Sequence, residues 1–269
     1  MASPTNFNLS PYFDDYSESK KFHRILFRPA FAVQARELTQ SQSIIQNQIE
    51  RVSDHLFDKG AMIIPGEIGF DLDYSAIKLT SKTASSVTDY VGFTLTGGTS
   101  GVVATVTTTS EASSTAAATL YVTYTKTGTN NTAKTFTEGE TLSGTTAEGT
   151  AFTAVVGTSG TSLPTSSNAT GKASAVKVEE GVYFINGFFV KNSEETLILD
   201  KYTNTPSYRV GFTVTESFVT PEDDSSLNDV AQGTSNVNAP GAHRFKIALT
   251  LAKKSLTATD DENFVEILR

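Results

Sequence analysis

Three histidines, His23, His55 and His243, are the only imidazoles in 269 residues, and none stands at ligand spacing with another. Asp223, Asp224, Asn228 and Asp229 lie close together and offer hard oxygens. An EF-hand, however, needs ligands at alternate positions, a central glycine and a distal Glu, and that spacing is missing. The acids read instead as a solvated loop. Glu179-Glu180 and Glu194-Glu195 are adjacent pairs that would point to opposite faces of a strand, so they make poor acid–base partners. Gly97-Gly98-Thr99-Ser100-Gly101 has the glycines of a phosphate loop without its lysine or a following helix. No Gly-x-Ser-x-Gly elbow has a histidine partner. Tyr183, Phe184, Phe188 and Phe189 could form a carbohydrate platform, but at hairpin spacing they read as core. The expectation is a chain with no catalytic residues, no metal site and no cofactor.

Composition narrows the classes further. The formal charge is −8 with no long basic run, which speaks against a dedicated nucleic-acid binder. Zero cysteines exclude disulfides, thiolate metal sites and thiol catalysis. No apolar run reaches the length of a membrane span, and no charged-then-hydrophobic leader opens the chain, so membrane insertion and export are not expected. With 38% hydrophobic residues, including 17 Phe and 9 Tyr, a sizeable core is within reach.

The elements that must position any functional surface begin with an arm. Residues 1–33 have aromatics, acids and prolines without helical or strand period. The arm includes Asn8 to Tyr16 and an apolar knot from Phe22 to Pro29. A helix is expected from about Gln34 to Asp58, because Leu38, Ser41, Ile45, Ile49, Val52 and Leu56 recur at steps of three and four. Lys59-Gly60 supplies a cation and a glycine for its C-terminal cap. Between Thr39 and Ile49 the helix carries no charge. Solvated helices normally carry Lys and Glu there. Neutral amides suit a surface that another chain covers, where they hydrogen-bond without the desolvation cost of an ion. Tyr12, Phe13, Tyr16, Phe27, Arg28, Leu38, Gln42, Ile45, Gln46 and Ile49 are the expected partner interface.

The rest reads as β structure, giving a mainly β, α+β chain with sandwich or barrel modules behind the helix. Residues 34–80 hold the helix and first strands. Residues 81–175 form an inserted β domain with 27 threonines, a residue that favours pleated backbone. Within it Leu120 to Thr125 is the clearest strand, and Gly128-Thr129-Asn130-Asn131 reads as a hairpin turn after it. Gly92-Phe93-Thr94-Leu95-Thr96-Gly97 is echoed by Gly139-Glu140-Thr141-Leu142-Ser143-Gly144, which suggests two similar hairpins in one small sandwich or barrel. Gly157 to Lys172 reads as linker. Residues 176–269 form a C-terminal β domain, where Asn186-Gly187 between apolar runs is a strong hairpin signal. Further strands are expected at Thr196–Leu199, Tyr208–Ser217, His243–Leu251 and Phe264–Leu268, with a long loop from Val219 to Ala242.

Several stretches resemble a known family. Tyr12-Phe13-Asp14-Asp15-Tyr16, Arg24-Ile25-Leu26-Phe27-Arg28-Pro29, Val33 to Gln40 and Gln46 to Arg51 are similar to the N-terminus of a phage structural-protein family. Its members occur in tails and baseplates of tailed bacteriophages, particularly contractile-tailed phages of marine bacteria. Gly181 to Gly187, Leu199 to Asn204, Ser225 to Asp229 and Asn238 to Phe245 resemble its C-terminal part. The resemblance implies a non-enzymatic virion protein of the tail or baseplate, assembled in the host cytoplasm, that connects subunits or anchors fibres. Implied partners are other virion structural proteins and copies of itself, with a trimer favoured. The alternative is a receptor-binding fibre module that contacts the host surface through residues 81–175. A depolymerase would need carboxylates on a long β-helix, and no regular rung repeat is present. Members of the family are often longer, so these residues are expected to be part of a larger protein.

Overall fold

The run from Ala35 to Leu56 has no proline or glycine and forms one helix, α1 (Ala35–Leu56). It starts where the Glu37 carboxylate accepts the Gln34 backbone N–H at 2.9 Å, a capping contact that also complements the helix dipole. It ends earlier than the Lys59-Gly60 signal suggests. Phe57 is already extended and its N–H closes the last turn on the Ser53 carbonyl. Gly60 instead donates its N–H to the Phe184 carbonyl at 2.8 Å, which starts a sheet rather than capping the helix.

The computed structural model describes residues 3–145, 151–233 and 235–269; residues 146–150 of the Thr-rich block lie outside the described residues. Strands follow α1 in the order β1 (Met62–Ile64), β2 (Ile68–Lys82), β3 (Thr94–Gly97), β4 (Val103–Ser110), β5 (Thr119–Lys126), β6 (Thr141–Thr145) and β7 (Ala151–Val156). Then come β8 (Thr170–Val178), β9 (Gly181–Ile185), β10 (Phe188–Asn192), β11 (Glu195–Asp200), β12 (Tyr208–Val219), β13 (Arg244–Ser255) and β14 (Phe264–Leu268). Strands hold 40% of the described residues and helices 13%, so the fold is mainly β, with one long helix among the described residues, near the N-terminus.

Two compact units emerge. One comprises Ile68–Lys177 and Thr196–Ser207. In it β2 pairs with β5 and with β7, and the ladder β5-β4-β3-β6-β7 joins the two, so the sheet closes into a six-stranded antiparallel barrel. Ile77, Leu79, Tyr90, Leu95, Val106, Leu120, Leu142 and Val156 fill it. This unit is wider than the expected 81–175, because β2 starts at Ile68 and supplies two of the barrel's seams. The echoed segments become β3 and β6, which pair with each other at Thr96↔Ser143. Their equivalent leucines, Leu95 and Leu142, are both fully buried, so the echo is a repeated hairpin inside one barrel. The turn after β5 is not a hairpin, since β6 pairs with β3 and β7 and not with β5.

Residues 157–169 are not a free linker. Lys78, fully buried on β2, points its ammonium at the carbonyls of Ser162, Pro164 and Ser167 at 3.2, 2.6 and 2.8 Å. The Tyr202 ring lies 4.8 Å from the same nitrogen. Burial lowers the lysine's pKa, an effect the nearby Glu138 partly offsets.

The other unit comprises Met1–Glu67, Val178–Glu195 and Tyr208–Arg269. β12 and β13 pair without a slip from Tyr208↔Ser255 to Val219↔Arg244, and β14 joins the far side of β12. A second sheet, β1-β9-β10, turns at Asn186 (φ 48°) and Gly187 (φ 85°), the tight hairpin that Asn-Gly favours. Tyr183 of β9 meets Phe212 of β12 edge-on at 4.8 Å, and both rings are fully buried. Phe184 is also core, while Phe189 is exposed. Among its described residues, the Val219–Ala242 stretch contains turns, one short 3-10 helix, Ser225–Leu227, and an isolated bridge between Asn228 and Pro240.

Candidate assembly surface

The arm divides into a docked part and a bare part. Phe7 packs edge-on against Phe245 at 4.9 Å and Phe218 at 6.0 Å. Tyr12 lies over Phe218 and its hydroxyl is 2.8 Å from His243 Nδ1. Farther out, Glu216 of β12 accepts hydrogen bonds from the hydroxyls of Ser3 and Thr5 and from the Asn186 amide. Burial pushes the Glu216 carboxyl up, but these donors outweigh it and hold its pKa below the usual carboxylate value. The start of the arm is therefore seated on its own chain, not waiting for a neighbour. From Phe22 to Val33 it is bare: Phe22, Leu26, Phe27, Phe31 and Val33 are all exposed, and the Arg28 guanidinium sits over the Phe31 ring at 4.1 Å.

The neutral side of α1 is covered, but by this same chain. Ser43 donates to the buried Asp14 carboxylate, and Gln40 donates to Asp15. Asp15 also pairs with Lys20 at 3.4 Å and Arg36 at 3.9 Å, and Arg51 pairs with Glu18. On the adjoining side, Gln46 Nε2 donates to the Gly187 carbonyl at 2.7 Å. Ile44 and Ser53 are buried along this covered sector. Of the neutral side chains that suggested a partner, Gln40, Ser43 and Gln46 bond to the protein's own arm and its β9–β10 turn, while Gln42 and Gln48 stay exposed.

The opposite sector carries the apolar stripe, and it is open. Leu38, Ile45, Ile49, Val52 and Leu56 are 54, 60, 41, 61 and 64% exposed, against 6% for Ile44. Burying an aliphatic side chain of this size stabilises by roughly 1.5–3 kcal/mol, so a row of five left in water is an exposed apolar patch of the kind that marks interaction surfaces. Among the residues expected at an interface, Leu38, Gln42, Ile45 and Ile49 lie on this open row, and Phe13, Phe27 and Arg28 are exposed on the arm. Tyr12 and Gln46 are engaged inside the chain. Tyr16 lines a cavity of about 310 Å³ between arm and helix, with Asp15, Lys20, Arg36 and Ile44. Val52 and Leu56 belong with the open row although the uncharged stretch ends before them; the step of three and four was their signal.

The polar clusters elsewhere are internally satisfied. Asp223 accepts the backbone N–H of Thr220, three residues before it, and Asp224 and Asp229 accept those of Ser226 and Ala231, two residues after them. That local bonding holds the Asp223 and Asp224 carboxyls below their ordinary pKa. The glycine-rich loop does cradle an anion, but it is Glu140: the N–H groups of Thr99 and Ser100 and the Ser100 hydroxyl each donate at 2.9 Å, and Thr137 N–H at 2.6 Å. Among the described residues no cluster of three or more His, Asp or Glu could hold a metal. No described helix is long and apolar enough to cross a membrane.

The architecture is a barrel unit and a helix-bearing β unit whose helix exposes an aliphatic row. The chain belongs to the family described as a domain of unknown function, DUF4815, whose profile matches residues 10–85 and 121–267. The unmatched stretch 86–120 carries β3 and β4, one copy of the echoed hairpin. Neither the curated proteins nor the solved structures contain a match.

Proposed function

We propose that this protein is a non-enzymatic structural component of a phage virion, placed in the tail or baseplate, that connects subunits or anchors fibres. The observation that carries the assembly role is the exposed row Leu38, Ile45, Ile49, Val52 and Leu56 on a helix whose other side is fastened to its own chain. A rigidly mounted apolar row is presented without ordering cost at the moment of docking. The resemblance of the arm and helix to phage tail and baseplate proteins supplies the virion setting. Bare apolar side chains at Phe22, Leu26, Phe27 and Phe31 extend the surface available to neighbouring virion proteins.

The test is mass spectrometry of purified tailed particles carrying either the wild-type chain or the Ile45→Glu/Ile49→Glu variant. Stoichiometric wild-type chain and a depleted variant are expected. A variant that enters particles at wild-type stoichiometry, or a wild-type chain absent from them, contradicts the proposal.

A further inference from the structure

Leu38, Ile45 and Val52 recur every seven residues, and so do Gln42, Ile49 and Leu56, offset by four. These two sets are the d and a positions of one heptad repeat. All six side chains are exposed on α1. We infer that this row is a self-association site: the α1 helices of three identical copies pack in parallel and in register as a short coiled coil. This deepens the assembly role proposed above and rests on it.

The choice of an identical copy follows from charge. The positions flanking the row are Thr39, Gln46 and Ser53 on one side and Ser41, Gln48 and His55 on the other. None is Asp, Glu, Lys or Arg. In a parallel, in-register coil each residue on one flank faces a residue of the other flank on the neighbour, so charges there would have to be matched in sign, whereas neutral side chains from equal copies need no matching. Distinct partners are ordinarily selected by opposite charges at those positions, and here no such selector exists. The charged residues Arg36, Glu37, Glu50, Arg51 and Asp54 all fall outside the row and its flanks.

Side-chain shape sets the number of copies. Two-stranded parallel coils prefer leucine at d, while β-branched residues at d with Ile at a favour three or more strands. Here d holds Leu38, Ile45 and Val52, and a holds Gln42, Ile49 and Leu56, so two of the three d residues are β-branched and the central pair is Ile at both a and d. Gln42 is the lone polar residue in the row, and such a residue at an a position fixes register. The chain itself covers Ser43, Ile44 and, on one flank of the row, Gln46 and Ser53, which leaves the row and its other flank, with Gln48 and His55, exposed for the neighbours.

Native mass spectrometry and thiol cross-linking test this, helped by a chain free of cysteine. A mass three times the 28.7 kDa chain is expected. Single variants Leu38→Cys and Leu56→Cys should each form intermolecular disulfides, because parallel copies place each position beside itself. An antiparallel pair would separate like positions by roughly 27 Å at 1.5 Å rise per residue. The Ile45→Glu/Ile49→Glu variant, with both residues exposed in the single chain, should keep its circular dichroism and become monomeric. A monomeric or dimeric wild type, thiols that do not link, or a trimer that survives the double substitution would overturn the inference. A monomer that nonetheless enters tail particles sinks the coiled coil alone, and a trimer absent from particles sinks the virion role alone.

Discussion

The Ser43 hydroxyl on α1 donates to the Asp14 carboxylate in the arm, and Asp14 is only 7% exposed. That one bond shows which side of the helix belongs to the chain itself. Truncating Asp14 to Ala removes the acceptor of the half-buried Ser43 hydroxyl, and losing a hydrogen bond to a charged group costs about 1.5–3 kcal/mol. Urea unfolding should register that loss, and trypsin should cut faster at Lys20 and Lys21, while helical content stays unchanged.

Acid should loosen the start of the arm. The Glu216 pKa lies below its ordinary 4.5 in the folded protein. Its contribution is therefore complete above that value and fades as pH falls through the depressed one. Glu140, whose hydrogen bonds likewise outweigh burial and lower its pKa, adds to the same slope. Urea midpoints measured from pH 6 to pH 3 should fall, and the fall should be shallower in Glu216→Gln. An identical slope in that variant would remove Glu216 from the account.

Replacing Lys78 with Met keeps the aliphatic stem and strips the ammonium from three carbonyls. The cost should be on the order of 3 kcal/mol, from lost charge-assisted bonds and carbonyls left without donors. Limited proteolysis should then open residues 157–169 before any other part of the barrel unit.

Gly187→Ala places a side chain at φ 85°, with its Cβ 3.0 Å from Glu50 Cγ. The backbone strain alone costs about 1–3 kcal/mol. Thermal melting should show a drop of a few degrees, and Asn186→Ala should show a smaller one.

Much of this architecture was legible in the residues. Asn186-Gly187 predicts its hairpin because both turn positions need positive φ, and the paired leucines at 95 and 142 mark equivalent strands. The helix followed from apolar period and the absence of breakers, although it stops two residues short of the expected Asp58. What was not legible was partner choice. Neutral amides between Thr39 and Ile49 hydrogen-bond equally well to a foreign chain or to the protein's own arm, and only the fold brought Asp14 and Gly187 to them. The 157–169 segment looked loose because its anchor, Lys78, lies 84 to 89 residues away from the carbonyls it holds. Gly60 looked like a cap because local spacing cannot tell a helix end from the first bond of a sheet.

The most direct test of the central claim is a cryo-EM map of the assembled particle, read at α1. The account predicts Leu38, Ile45, Ile49, Val52 and Leu56 packed against neighbouring protein, with Ser43 and Gln46 still bonded to their own chain. A map in which that aliphatic row faces open solvent in every copy would contradict it.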